Sequence, residues 1–195
     1  SPANEMALEE RIWNLPGDGK FDNDLIPEDL NLECGRVDMY NLTKFDINEV
    51  ELLRRYLTHN HNYKNFKINY PTRAIINDYF KLYSKYEAFA GNAWMNFIPL
   101  VGASSIDTFL FNTVLTKEKY LFTYACGPGS YQSCYDAVYT DSLIKNGYNT
   151  VFSMLFGSWF GDWDSENNLM RSMLAADPPA LVCAWAGRPY WHIHH

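Results

Sequence analysis

Cys126 stands at the end of the apolar run Tyr120 to Ala125 and directly before Gly127-Pro128-Gly129-Ser130. A thiol in that position is a candidate nucleophile, because the backbone N–H groups of a glycine-rich turn lower a thiol pKa and can hold an oxyanion. Such a nucleophile needs a base, and no histidine is near it in sequence. His192 and His194 follow the last apolar run and would have to fold back onto the same rim. Ser158, in Gly157-Ser158-Trp159, is a second candidate, weaker because it lacks the Gly-x-Ser-x-Gly elbow. The plainer reading of Cys126 and Cys183 is that of buried thiols, since free cysteine is among the most buried residue types.

Asp162, Asp164 and Glu166 place carboxylates at alternate positions, followed by Asn167 and Asn168, as calcium loops do. The sixth-position glycine is missing and the twelfth position is Met173, so capping of the next helix by Asp164 or Ser165 competes with calcium. Asp18, Asp22, Asn23 and Asp24 form a second acidic loop, for which solvated turn chemistry is the default. His59-Asn60-His61 and His192-Ile193-His194-His195 supply no clear set of three or four ligands, and charge at a helix end is the simpler role for the first pair. The four cysteines, Cys34, Cys126, Cys134 and Cys183, follow neither C-x-x-C nor zinc spacing and leave the redox compartment open. The expected cofactor is none, with calcium as the open option. The aromatic residues Trp159, Phe160, Trp163, Trp185, Tyr190 and Trp191 cluster in two loops. They suit stacking on a sugar or gripping a peptide, or packing that holds the loops together.

These loops need a frame, and the chain supplies one by alternating short apolar runs with amphipathic stretches. Strands are expected near 72–76, 96–101, 120–125, 150–156 and 181–184, with a shorter one within Asn31 to Met39. A helix capped by Asp46, with Glu49 completing a capping box, is expected to run to Asn60 with Val50, Leu52, Leu53, Tyr56 and Leu57 on its apolar face. Further helices are expected over Phe80 to Phe89, from Ser104-Ser105-Asp107 through Leu115, and over Glu166 to Ala175. Strands separated by helices favour a mainly parallel sheet with right-handed crossovers and helices on both faces. Residues 126–130, 157–164 and 185–191 then share the carboxyl edge, where ligands bind in such sheets. Arg188 joins the binding candidates there.

The 195 residues suit one domain, with turn-rich residues 14–30 as a structured loop. Sixteen Lys and Arg against 23 Asp and Glu give a net charge of -7, which provides no basic field for nucleic acid. Polar residues and glycines interrupt the longest uncharged stretches, Ala88 to Ile106 and Tyr120 to Tyr135, so both are expected as buried core segments rather than membrane spans. Ser1-Pro2 is not a natural start and the last residues end on an unfinished element, so the chain is expected to be a fragment cut at both ends, with neighbouring domains.

Gly35-Arg36-Val37-Asp38 precedes a helix with Leu52, Leu53 and Tyr56, then comes a strand into Gly-x-Gly-Ser, then a strand, a loop and a helix with Leu169-Met170-Arg171. Over about residues 15–191 this order resembles gingipain-type cysteine peptidases, and more closely the bacterial proteins related to them. The resemblance implies a caspase-like α/β sandwich, export to the cell surface or medium, and an active site at the strand ends. In that family a histidine sits in a Gly-His-Gly turn and a cysteine follows the next strand. Here Pro128 occupies the histidine position and no cysteine lies between Val151 and Asp164. The resemblance therefore implies a domain without the Cys-His dyad, used for binding or as a scaffold; an active hydrolase with a rearranged nucleophile is the alternative.

Overall fold

The computed structural model describes residues 35–82, 89–108 and 117–186. Helix α1, Glu49–Lys64, begins where the Asn48 side chain accepts a hydrogen bond from the Glu51 amide. Glu49 and Glu51 lie at its positive end and His61 and Lys64 at its negative end. The cap is thus Asn48 and not Asp46. Of the expected apolar face, Leu52 and Tyr56 are buried, while Val50, Leu53 and Leu57 face solvent. Leu52 and Tyr56, with Tyr63 packed against the same cluster, seat the helix, and the Tyr56 hydroxyl fixes it further by donating to the Leu181 carbonyl at 2.8 Å.

The remaining elements follow in chain order. Strand β1 is Ala74–Asp78, a single 3-10 turn covers Phe80–Leu82, helix α2 is Gly91–Val101, and strand β2 is Ile106–Asp107. Strand β3 is Tyr120–Cys126, and the short strands β4 (Gly129–Ser130), β5 (Ser133–Cys134) and β6 (Val138–Tyr139) lead into helix α3, Thr140–Asn146. Strand β7 is Thr150–Phe156, helix α4 is Leu169–Ala175 and strand β8 is Val182–Ala186. Among the described residues five strands form one sheet in the order β2-β1-β3-β7-β8, and every pairing in it is parallel. The short strands make a separate antiparallel ribbon, β4-β5-β6.

The α/β class and the mainly parallel sheet agree with expectation, and β3 lies at its centre. One expected strand does not exist: residues 96–101 belong to α2, where Ala93 and Phe97, four positions apart, are buried. The fifth strand is instead Ile106–Asp107, expected as the start of a helix. Residues 109–116, where that helix was expected, lie outside the described residues, as do 83–88, the acidic loop at 18–24, Cys34 and residues 187–195. Gly35 to Met39 takes no strand conformation.

Alternation along the strands divides the core. Ala74, Ile76 and Phe156 pack with Ala93 and Phe97 of α2 on one face. Ile75, Ala125 and Leu155 pack with Leu143 of α3 and Leu169 and Met173 of α4 on the other. Leu52 and Tyr56 of α1 join Val151, Leu174 and Leu181 in a third cluster. No helix among the described residues is long and apolar enough to cross a membrane.

Candidate functional site

The register brings the carboxyl ends of four strands level: Asp78 pairs with Cys126, Cys126 with Phe156, and Phe156 with Ala186. The chain leaves β1 toward β2 on one side, and the sheet continues from β3 to β7 and β8 on the other. The crevice of a doubly wound sheet therefore lies beyond Asp78 and Cys126. Backbone bonds extend past the strands there, from the Tyr79 amide to the Cys126 carbonyl at 2.9 Å and from the Gly127 amide to the Phe156 carbonyl at 3.1 Å. Just past these strand ends, against Gly127, the rings of Tyr79 and Tyr135 meet edge to face with centroids 4.8 Å apart.

The chemistry of Cys126 is set by burial. Its side chain is 1% exposed and donates to Asp78 Oδ1 at 3.2 Å. Burial, and then the adjacent Asp78 carboxylate, push the thiol pKa far up, so the group stays protonated at neutral pH. That is the reverse of what an attacking thiolate requires. Cys134 is buried as well and its pKa is pushed up to about 12. Ser158 is exposed at the end of β7. The described histidines, His59 and His61, both belong to α1, and His59 Nε2 lies 3.1 Å from the Tyr70 hydroxyl.

Two loops interlock at this edge. A Cβ on Gly129 would fall 2.0 Å from the Ser158 carbonyl oxygen, and one on Gly157 would fall 2.4 Å from the Gly127 carbonyl oxygen. Only glycine allows the backbones to approach so closely. Phe160, expected on the rim, is instead fully buried between the loops. Trp185 lies edge to face with Phe160 and donates from Nε1 to the Gly157 carbonyl at 2.9 Å.

The acidic stretch 162–168 is a capping loop. The residue that caps α4 is Asn168, not Asp164 or Ser165: its Oδ1 accepts from the Arg171 amide at 3.1 Å. Its Nδ2 donates to the carbonyls of Phe160 and Asp162 at 2.8 and 3.1 Å. The Glu166 carboxylate takes the Thr43 hydroxyl. Asn167 Oδ1 accepts from the Lys44 amide at 2.9 Å, and the buried Arg171 guanidinium donates to the carbonyls of Tyr40 and Ser165. Lys44 Nζ continues the network to Gln132 at 2.8 Å and Asp141 at 2.6 Å. Asp162, Asp164 and Glu166 do not converge, and among the described residues no three His, Cys, Asp or Glu side chains are grouped to hold a metal ion.

Of the expected aromatic rim, Trp159 is 58% exposed and Trp185 39% exposed, and Trp163 is half-buried. Pro128 and Ser130 are exposed beside them. Arg188, Tyr190, Trp191, His192 and His194 lie outside the described residues. Tyr79, Tyr131 and Tyr135 also belong to this edge and were not singled out from the sequence. The signal for the last two was the recurrence of tyrosine at 131, 135 and 139, in a stretch whose two-residue strands show no period. No family model, curated protein or solved structure matches the chain.

Proposed function

We propose that this is a non-catalytic domain of the gingipain-like, caspase-like type, carried by an exported bacterial protein and acting as a binding module or scaffold through the carboxyl edge of its sheet. The observation that carries this reading is the state of Cys126. It is the cysteine at the end of β3, and it is buried, bonded to Asp78 and held protonated. Pro128, in the turn where the family resemblance expects a base, has no group that accepts a proton. The order of elements also supports the assignment, because a central parallel strand runs through the Gly-x-Gly-Ser turn and a small ribbon into α3, β7 and α4. Export and neighbouring domains rest on the resemblance. The partner class is a peptide or a carbohydrate, engaged by the exposed rings of the rim.

The test is an assay with peptide substrates bearing each common side chain at the cleavage position, with reductant and with calcium. No turnover above the background of a Cys126→Ala, Ser158→Ala double variant is expected. Turnover that this double variant abolishes overturns the proposal in favour of a hydrolase with a rearranged nucleophile.

A further inference from the structure

Trp159 has a φ of 72°, in the left-handed region that a bulky side chain rarely adopts. Such a conformation survives where the surroundings over-determine it, and such sites cluster where a function is served. Here the surroundings do so. The Ser158 carbonyl accepts from the Phe160 amide and the Trp159 carbonyl from the Asp162 amide, each at 3.0 Å. Phe160 is fully buried and Asn168 holds its carbonyl, while Trp185 holds the Gly157 carbonyl. Yet the fixed residue does not fill the core, since 58% of Trp159 remains exposed. A glycine would take this backbone without strain, and the chain instead maintains an indole in solvent.

Among the described residues the ring has one exposed aromatic neighbour. Tyr131, 44% exposed, lies with its centroid 5.9 Å from that of Trp159 and its plane at 65° to it. The two rings form an exposed edge-to-face corner on a hydrogen-bonded loop, flanked in the chain by the exposed Ser158 and Asp162. We infer that this corner is a platform for a neutral carbohydrate chain, one pyranose face stacking on Trp159 and Tyr131 closing its edge. The inference rests on the binding role proposed above and names its ligand class.

The surroundings favour a sugar over a peptide. A peptide bound by strand addition draws its affinity from main-chain bonds to a sheet edge, and the strand leading to this corner, β4, has only two residues. Anionic ligands meet the exposed Asp162, Asp164 and Glu166 on a chain of net charge -7. A neutral pyranose needs only a flat ring for its C–H face and a few polar groups or waters for its hydroxyls.

The test is calorimetric titration of the full chain with neutral hexasaccharides of β-linked glucose, β-linked N-acetylglucosamine and α-linked mannose at millimolar concentration. At least one is expected to bind, and Trp159→Gly is expected to weaken it about tenfold or more, with Tyr131→Ala weakening it less. The melting temperature of Trp159→Gly is expected to hold or rise, because glycine accepts the positive φ. Absence of binding by all three sugars, or unchanged affinity in Trp159→Gly, overturns the inference. A clear fall in melting temperature in that variant also overturns it, by making Trp159 a packing residue. These failures differ from failure of the proposed function, which is read from peptide turnover.

Discussion

Substituting Gly129 by alanine tests whether the two edge loops are locked by backbone contact. The added Cβ would sit 2.0 Å from the Ser158 carbonyl oxygen and 2.8 Å from two ring carbons of Phe160. Ordinary contact begins near 3.4 Å, so one loop must retreat by about 1.4 Å. The Ser158 carbonyl is engaged by the Phe160 amide, and Phe160 is fully buried, so a retreat disturbs the core. Overpacking of this kind costs about 2–3 kcal/mol, which lowers the melting temperature of a domain this size by roughly 5–10 °C. Two controls separate the causes. Gly35 has nothing within 4 Å, and Gly35→Ala is expected to melt within about 1 °C of the parent chain. Gly102 is equally open but has a φ of 82°, so Gly102→Ala isolates backbone strain at about 1 kcal/mol. If Gly129→Ala melts like Gly35→Ala in calorimetry, the interlocked description of the loops is wrong.

Two further outcomes follow from the same edge. Asn168→Ala removes the α4 cap and leaves the buried carbonyl of Phe160 without its side-chain donor, so urea unfolding is expected to show a loss of about 2–3 kcal/mol. Asn168→Asp keeps the cap acceptor and is expected to lose less; equal losses would show that the lost Nδ2 donor, and not the cap, carries the whole effect. Cys126 and Cys134 have pKa values raised by burial, so their contribution is complete below the ordinary thiol value near 8.5. Above it the unfolded chain loses these protons first, and stability is expected to fall with rising pH by up to about 1.4 kcal/mol per unit for each thiol. For Cys134 this continues until pH passes its folded value of about 12. Urea midpoints between about pH 8 and 10 check this, with Cys134→Ala giving a shallower slope.

The strands of the five-stranded sheet legible in the sequence were those of five residues or more, β8 with its single partner included. Thr150–Phe156 and Tyr120–Cys126 are buried between two partners each, and their β-prone runs are long enough to declare themselves. The run 96–101 failed because uncharged apolar residues suit a buried strand as well as a helix, and the Ala93 and Phe97 spacing that decides it begins upstream. Asn48 and Asn168 displaced acidic neighbours as caps, a choice among equivalent side chains that local sequence does not make. At the site, the carboxyl edge and its loops were legible from topology alone. The burial of Phe160 and the tyrosines of the ribbon were not, because they depend on how closely glycines let two distant loops approach.

The bonds that join Tyr40, Thr43 and Lys44 to the α4 loop connect residues far apart in synthesis. Thr43 and Glu166 are separated by 123 positions. At a synthesis rate of about 5–20 residues per second the early loop is made on the order of ten seconds before its anchor exists. The loop at 38–44 therefore cannot dock until residues 165–171 have been made, and it is expected to stay open to proteases while β1, β3 and β7 are already pairing. Nascent chains arrested before Ser165 are expected to be cut within residues 38–44, and chains that have cleared α4 to resist. Cleavage of that loop then times the completion of the fold.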